Sequence, residues 1–465
     1  MARLPTETVA RSGALNRRAL LIVAAVLFAP VLMAVIIHRY GVNVPYWDEW
    51  DQLSVVSRAY DHTLTAGLLW EQQNEHRPVV SKLISIVIAR TTKLNLVVEM
   101  YVGFGFQLLS LILIWRMLAA GLKDRARVLI GPLTIAASLM MFWAVAHEDW
   151  IWGLASVQYF LSVLWAVLGV WALARWPGRW PSVSILSVAT VLGIFTTGCG
   201  FALIGVGVLG IVGYGIAQKR IPWLQLVAFV LVSVACTALY LRGYSSPGYS
   251  ATSLGRLHPI EMITYLVTYV GSPFWIRTAG YKTALLFGLI GIVSLAAAAS
   301  YITGQAKNWI PAVAPWILLA GYTIINGANT AFARIDHGVE QATASRYRPV
   351  AALFWISLTA ILSMIAYNIK GRFSRRVMAV VTAGAIIIFM TGYAMLYYRG
   401  LGALQRHSEF VASGLPYIMN YDSTPDEKLQ MYHPTGSTVR ELSRKLDHYH
   451  LGPFADSANE PGRGQ

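Results

Sequence analysis

Asp48, Glu49 and Asp51 stand together in the stretch PYWDEWDQL at residues 45–53, between and beside Trp47 and Trp50. Carboxylates grouped in this way can take a proton from an attacking hydroxyl, orient the hydroxyls of a ligand or hold a hard cation. Asp48 and Asp51 are three residues apart, so a helix starting near Trp47 puts both on one face and turns Leu53 and Val56 toward a membrane surface. Three more polar groups interrupt an apolar chain: Asn74-Glu75-His76-Arg77-Pro78, His147-Glu148-Asp149-Trp150, and Arg334-Ile335-Asp336-His337 running on to Ser345-Arg346-Tyr347-Arg348-Pro349. Arg346 and Arg348 are the candidates for binding a phosphate, because a guanidinium is a forked, permanently charged donor. Arg334, His337 and Lys282 are second choices for that task; basic side chains beside membrane spans also snorkel toward lipid headgroups, the ordinary reading of each taken singly.

Other chemistries lack their residues. His76 beside Glu75 has no second His/Cys pair at ligand spacing, so a zinc site is not expected. There is no Gly-x-Ser-x-Gly elbow for a serine nucleophile. Cys199 and Cys236 fall at a helix hinge and inside a helix, which gives no disulfide framework.

The elements that must position these groups are membrane spans. With 56% hydrophobic and 13% charged residues the chain reads as an all-α integral membrane protein. Eleven apolar segments are long enough to cross as helices: 19–38, 96–118, 128–146, 154–174, 181–197, 200–217, 222–241, 283–303, 309–327, 349–368 and 377–397. The first follows Arg17-Arg18, lacks a small-residue cleavage site and reads as an anchor, not a cleaved leader. Val79–Ala89, with Lys82, and Ile260–Trp275, with Gly271 and Pro273, read as interfacial or re-entrant helices on the outer side. Gly193, Gly198, Gly200, Gly205, Gly207 and Gly210 are expected to allow close helix packing.

With the N-terminus inside, the inner connectors collect 17 of the 37 lysines and arginines but only Glu7 and Asp124 of the 22 acids. The formal charge of +15 therefore reports topology and not nucleic acid. The outer face receives the first loop (39–95), the turn 147–152, the loops 242–282 and 328–348, and a tail from about 398. The chain divides into a polytopic domain, 1–400, and an outer tail, 401–465. The tail has a short helix expected over Ser437–His448, too few aliphatics for a core of its own, and a disordered end, Asp456–Gln465.

A first span, an acidic pair just outside it, an interfacial helix, a His/Lys-x-Pro-like entry (His76-Arg77-Pro78, where the usual signature is basic-Pro-Pro) into another interfacial helix, and a second span follow in that order. This order resembles the amino-terminal region of the polytopic GT-C class of glycosyltransferases, which includes the protein O-mannosyltransferases and the lipid A aminoarabinose transferases. The resemblance covers the layout of residues 1 to about 240, and the groups at 147–150 and 334–349 are similar to stretches of bacterial envelope enzymes of this kind. It implies an inverting transfer of a sugar from a polyprenyl-phosphate donor to an envelope glycan or lipid acceptor at the outer leaflet. Asp48-Glu49 then match the catalytic acidic pair, and Asp51, His76, Arg77, Glu148, Asp149, Arg334, His337, Arg346 and Arg348 are the candidate substrate-binding residues. No cofactor is required by the sequence, and a divalent cation, Mg²⁺ or Mn²⁺, held by Glu49, Asp51, Glu148 and Asp149 with the carrier phosphate is left open. The setting implied is a bacterial inner membrane, N-terminus cytoplasmic and C-terminus outside. A flippase for lipid-linked saccharides is disfavoured by the apolar midplane and by the absence of related halves. An O-antigen polymerase or ligase usually rests on a large late outer loop, whereas here the acid-rich loop comes first.

Overall fold

A computed structural model describes residues 7–245, 258–368 and 372–455, with 7–16 and 372–391 as backbone only. Every regular element among them is helical. In chain order these are α1 (Glu7–Tyr40), α2 (Asp48–Tyr60), α3 (Ala66–Trp70), α4 (Val79–Thr92), α5 (Leu96–Gly121), α6 (Ile130–Met141), α7 (His147–Ile151), α8 (Gly153–Arg175), α9 (Trp180–Thr197), α10 (Gly200–Ala217), α11 (Trp223–Leu241), α12 (Pro259–Gly271), α13 (Lys282–Gln305), α14 (Ile310–Arg334), α15 (Arg348–Asn368), α16 (Arg372–Ala412), α17 (Leu415–Met419), α18 (Asp426–Leu429) and α19 (Gly436–His448). Nine helices among the described residues are long and apolar enough to cross a membrane, and they match nine of the eleven segments expected. The protein is a multi-pass helical membrane protein. The segment 377–397 lies in α16, mostly where side chains fall outside the described residues, as does the expected disorder of Asp456–Gln465.

The segment 128–146 differs from expectation. Its α-helix, α6, ends at Met141 after 12 residues, roughly 18 Å of rise against the ~30 Å of hydrocarbon. The chain continues without regular structure through Phe142–Ala146, all five residues buried. Buried non-helical backbone persists only where other groups satisfy its N–H and C=O. Here Gln107 donates to the Met141 carbonyl (2.9 Å), the Trp150 indole to Trp143 (3.0 Å) and Arg348 to Val145 (2.5 Å). Apolarity alone, being equal on both sides of Met141, gives no sign of this break.

Tight contacts rest on small residues. Gly198 takes the left-handed conformation (φ 74°) that ends α9. A β-carbon on Gly200 would overlap the backbone of Gly193 and Ile194, so the α9–α10 hairpin requires glycine there. Neither α4, with 14 residues, nor α12, with 13, has the length of the crossing helices.

The described part of the tail, to Ala455, has no separate core. Val439, Leu442 and Leu446 on the inner face of α19, with Val411, Ile418, Leu429, Leu451 and Phe454, pack against Val44, Trp50, Leu53 and Val56 of the first loop and Ala89, Leu94 and Leu96 around α4 and α5. Lys445 pairs with Asp61 at 3.2 Å, the Tyr449 hydroxyl donates to Asp61 at 2.5 Å, and the Gly452 amide donates to Lys93 at 2.8 Å. The first loop and the tail therefore fold as one layer over one end of the helix bundle.

Candidate functional site

Asp48 opens α2, and its setting is built from a turn and a strap. Glu49 donates its amide to the Tyr46 carbonyl (3.1 Å), closing a four-residue turn in which Trp47 has φ 52° and ψ −125°. That is the glycine-favoured second position of a type II′ turn, an unusual place for a bulky side chain. The Trp47 amide donates to the carbonyl of Tyr432 in the tail at 2.7 Å, which fixes the turn from above. On the other side, residues 73–76 form a tight reversal with paired Gln73 and His76 backbones. Gln73 donates to the Asp48 carbonyl (3.1 Å), and Asn74 reaches the Asp48 carboxylate at 3.5 Å.

The half-buried Asp48 carboxyl is pushed above the usual carboxylate range by burial and by Asp51, against the pull of Arg346, Arg334 and His433. Arg346 is the common neighbour of the site. From the short 3₁₀ turn Ser345–Tyr347 it acts on Tyr46, Asp48, His76, Glu148 and Asp149. No carbonyl or carboxylate among the described residues accepts a hydrogen bond from it. Arg334, at the end of α14, pairs with Glu75 at 2.6 Å, so the turn at 73–76 brings it in beside Asp48 and His76. Removal from water pushes His76 down to about 4, leaving a neutral imidazole.

Across Arg346 lies α7. Asp149 is fully buried, and its carboxyl is driven well above the ordinary value by burial and by Glu148. Burial, the largest single influence, works upward on Glu148, but His147, Arg346, Ser345 and His407 together leave it below its usual value. Burial lowers His147 to about 4.

Other candidates have structural employment. Both oxygens of the buried Glu49 are engaged, accepting from the amides of Leu154 (3.0 Å) and Tyr46 (2.8 Å), so it ties α2 to the start of α8 and presents no free oxygen to the site. Burial and Glu99 raise it to about 8. The buried Arg77 donates to the carbonyls of Tyr240 (2.8 Å), Trp70 (2.7 Å) and Arg242 (2.9 Å), which makes it a clasp between α3 and the end of α11. Arg348 is held likewise on Val145 and on Thr343 (2.8 Å), supporting the broken α6. Lys82 donates to Leu68, Leu69 and Glu71, capping α3. Asp51 is paired with His433 of the tail at 3.2 Å. His337 and Lys282 are exposed, and neither is among the groups that act on Asp48.

Sequence reasoning did not find Tyr46, Asn74, His407 and His433. His407 stands in α16 with its ring 5.0 Å from Tyr46, and His433 reaches Asp51 from the tail; each is a lone histidine far from the motifs it joins, and nothing in its local sequence marks it. No group of three or more His, Cys, Asp or Glu side chains among the described residues is arranged to hold a metal ion.

The arrangement offers a carboxylate able to accept a proton, a guanidinium beside it that makes no ion pair within 4.0 Å among the described residues, and a polar wall contributed by α7. It gathers on one face of the bundle residues that lie almost four hundred positions apart. No protein-family model, no curated protein and no solved structure matches this chain.

Proposed function

We propose that this protein is an integral membrane glycosyltransferase that moves a sugar from a polyprenyl-phosphate donor to a hydroxyl of an envelope glycan or lipid. The observation that carries the reading is the juxtaposition of Asp48 and Arg346, together with Arg334, at the end of the bundle where the first loop and the tail meet. In this account the acceptor hydroxyl attacks the anomeric carbon as its proton passes to an Asp48 carboxylate oxygen. The bond from that carbon to the phosphate oxygen breaks on the opposite side, with inversion, and the electron pair leaves on the polyprenyl phosphate. Arg346 faces the growing negative charge, and a fixed guanidinium in a water-poor site stabilises it more than it stabilises the donor's ground state. Asp48, raised above ordinary carboxylates by burial and by Asp51, is a better base than an exposed aspartate.

The apolar spans supply the surface on which an isoprenoid chain lies, and the bacterial envelope with this face outward is the setting that suits the basic inner connectors. The resemblance of the sequence layout to the GT-C class supports the same assignment. The test is to incubate protein in nanodiscs with radiolabelled polyprenyl-phosphate hexoses and pentoses and extracts of envelope acceptors, and to determine the anomeric configuration of the product. Transfer with inversion is expected; transfer with retention, or none from any donor, contradicts the proposal.

A further inference from the structure

Six buried polar atoms with no hydrogen-bond partner among the described residues gather beside Arg346. They are Glu148 Oε2, both carboxyl oxygens of Asp149, Ser345 Oγ, Arg348 Nε and His407 Nε2. Four segments supply them: α7, the turn 345–347, the start of α15, and α16. Their proximity shows in their mutual effects. Glu148 responds to His147, Arg346, Ser345 and His407, and Asp149 responds to Glu148, Arg346 and Arg348. The Ser345 hydroxyl lies beside the Glu148 carboxylate and helps to lower it. The Tyr46 ring, 5.0 Å from that of His407, feels Glu148, Arg346 and Asp48 together and links the cluster to the proposed base.

Buried polar atoms are almost always paired, so a group of orphans sharing one place needs a partner from outside the chain. The donor and acceptor types say which kind. A phosphate needs donors throughout, and this cluster contains carboxyl oxygens. A metal ion needs acceptors throughout, and here a guanidinium N–H intrudes and no metal-holding group is formed. The Arg348 N–H donates, the Glu148 and Asp149 carboxyl oxygens accept, and the Ser345 hydroxyl and the His407 ring nitrogen can serve either way, so the cluster both donates and accepts. Several hydroxyl groups on one ring, each able to donate and to accept, match that mixture.

We propose that Glu148, Asp149, Ser345, Arg348 and His407 form a subsite that recognises the hydroxyl-bearing ring of a neutral sugar, adjacent to Asp48 and Arg346. It rests on the transferase reading for the position of the reacting carbon, and names the side chains that hold the ring. A site whose buried groups are completed by ligand hydroxyls discriminates strongly against a ligand that lacks them.

The test measures binding in detergent, with heat midpoints recorded in parallel, using polyprenyl-phosphate-linked glucose, mannose, galactose and arabinose and the sugar-free polyprenyl phosphate. Wild type should bind at least one glycosylated lipid about tenfold more tightly than the sugar-free lipid, which corresponds to ~1.4 kcal/mol. Ser345→Ala with His407→Phe should abolish that preference and leave affinity for the sugar-free lipid unchanged. Ser345→Ala alone removes a buried hydroxyl beside Glu148 and should weaken the preference several-fold, the heat midpoint taken in parallel showing that the variant is folded. A preference that survives in both variants, meaning that water completes these atoms, overturns the subsite, and so does a wild type without any preference. Sugar transfer is followed on the same samples: transfer without preference sinks the subsite alone, while preference without transfer upholds the subsite and sinks the transferase reading.

Discussion

Replacing Glu49 by glutamine should remove a specific part of the pH dependence of stability. Burial and the Glu99 carboxylate carry Glu49 from 4.5 to about 8 in the folded chain. Between those values the folded state holds a proton that the unfolded state has released, so stability declines as pH rises, by about 1.4 kcal/mol per unit. His76 and His147 act in the opposite sense. They fall from 6.5 to about 4 on folding, so they add stability as pH climbs toward 6.5 and nothing more above it. The informative window is therefore pH 6.5 to 8, in which Glu49 should withdraw roughly 2 kcal/mol. Glutamine keeps one acceptor for the amides of Tyr46 and Leu154 and loses the other, a cost of about 1–3 kcal/mol that does not vary with pH. Heat or denaturant unfolding in detergent across this window should show wild type losing stability faster than Glu49→Gln, by that 2 kcal/mol over the interval. Parallel curves would refute the reasoning, since they would mean that Glu49 is ionised at neutral pH and that its two amide hydrogen bonds outweigh burial.

Arg346→Gln removes a charge that lowers Asp48, so the acid limb of the pH–rate profile should move to higher pH, while Asp51→Asn should move it lower; an unmoved limb in both would separate these groups from the base. Gly288→Ala should destabilise the α12–α13 contact by more than 1 kcal/mol, because its β-carbon would overlap the Val267 carbonyl oxygen, and unfolding midpoints check this. Leu446→Ala, at a fully buried position of the shared layer, should cost about 2–5 kcal/mol and expose the first loop to protease together with the tail; a tail that is cut alone would show the two to be independent.

Much of the bundle was legible because a crossing helix announces itself by length and apolarity, and nine of the segments have both properties. The break in α6 was not, since Gln107, Trp150 and Arg348 satisfy its carbonyls from elsewhere in the chain. The acidic and basic motifs at 48–51, 148–149, 334 and 346 were visible as charges in an apolar chain, and the fold brings Asp48, Glu148, Arg334 and Arg346 into one neighbourhood. Charge alone could not say which of them have other duties. Arg77 and Arg348 sit in motifs as conspicuous as that of Arg346, yet carbonyls already accept from them. Composition showed that the tail lacks aliphatics, and the structure supplies the reason it folds: half of its core belongs to the first loop.

The central claim is that Asp48 takes the acceptor's proton. Sugar transfer by wild type and by Asp48→Asn, compared in nanodiscs at saturating donor with donor affinity measured separately, addresses it most directly. The account predicts unchanged donor affinity and a rate lower by about 10²–10⁴-fold in the variant; equal turnover would contradict it.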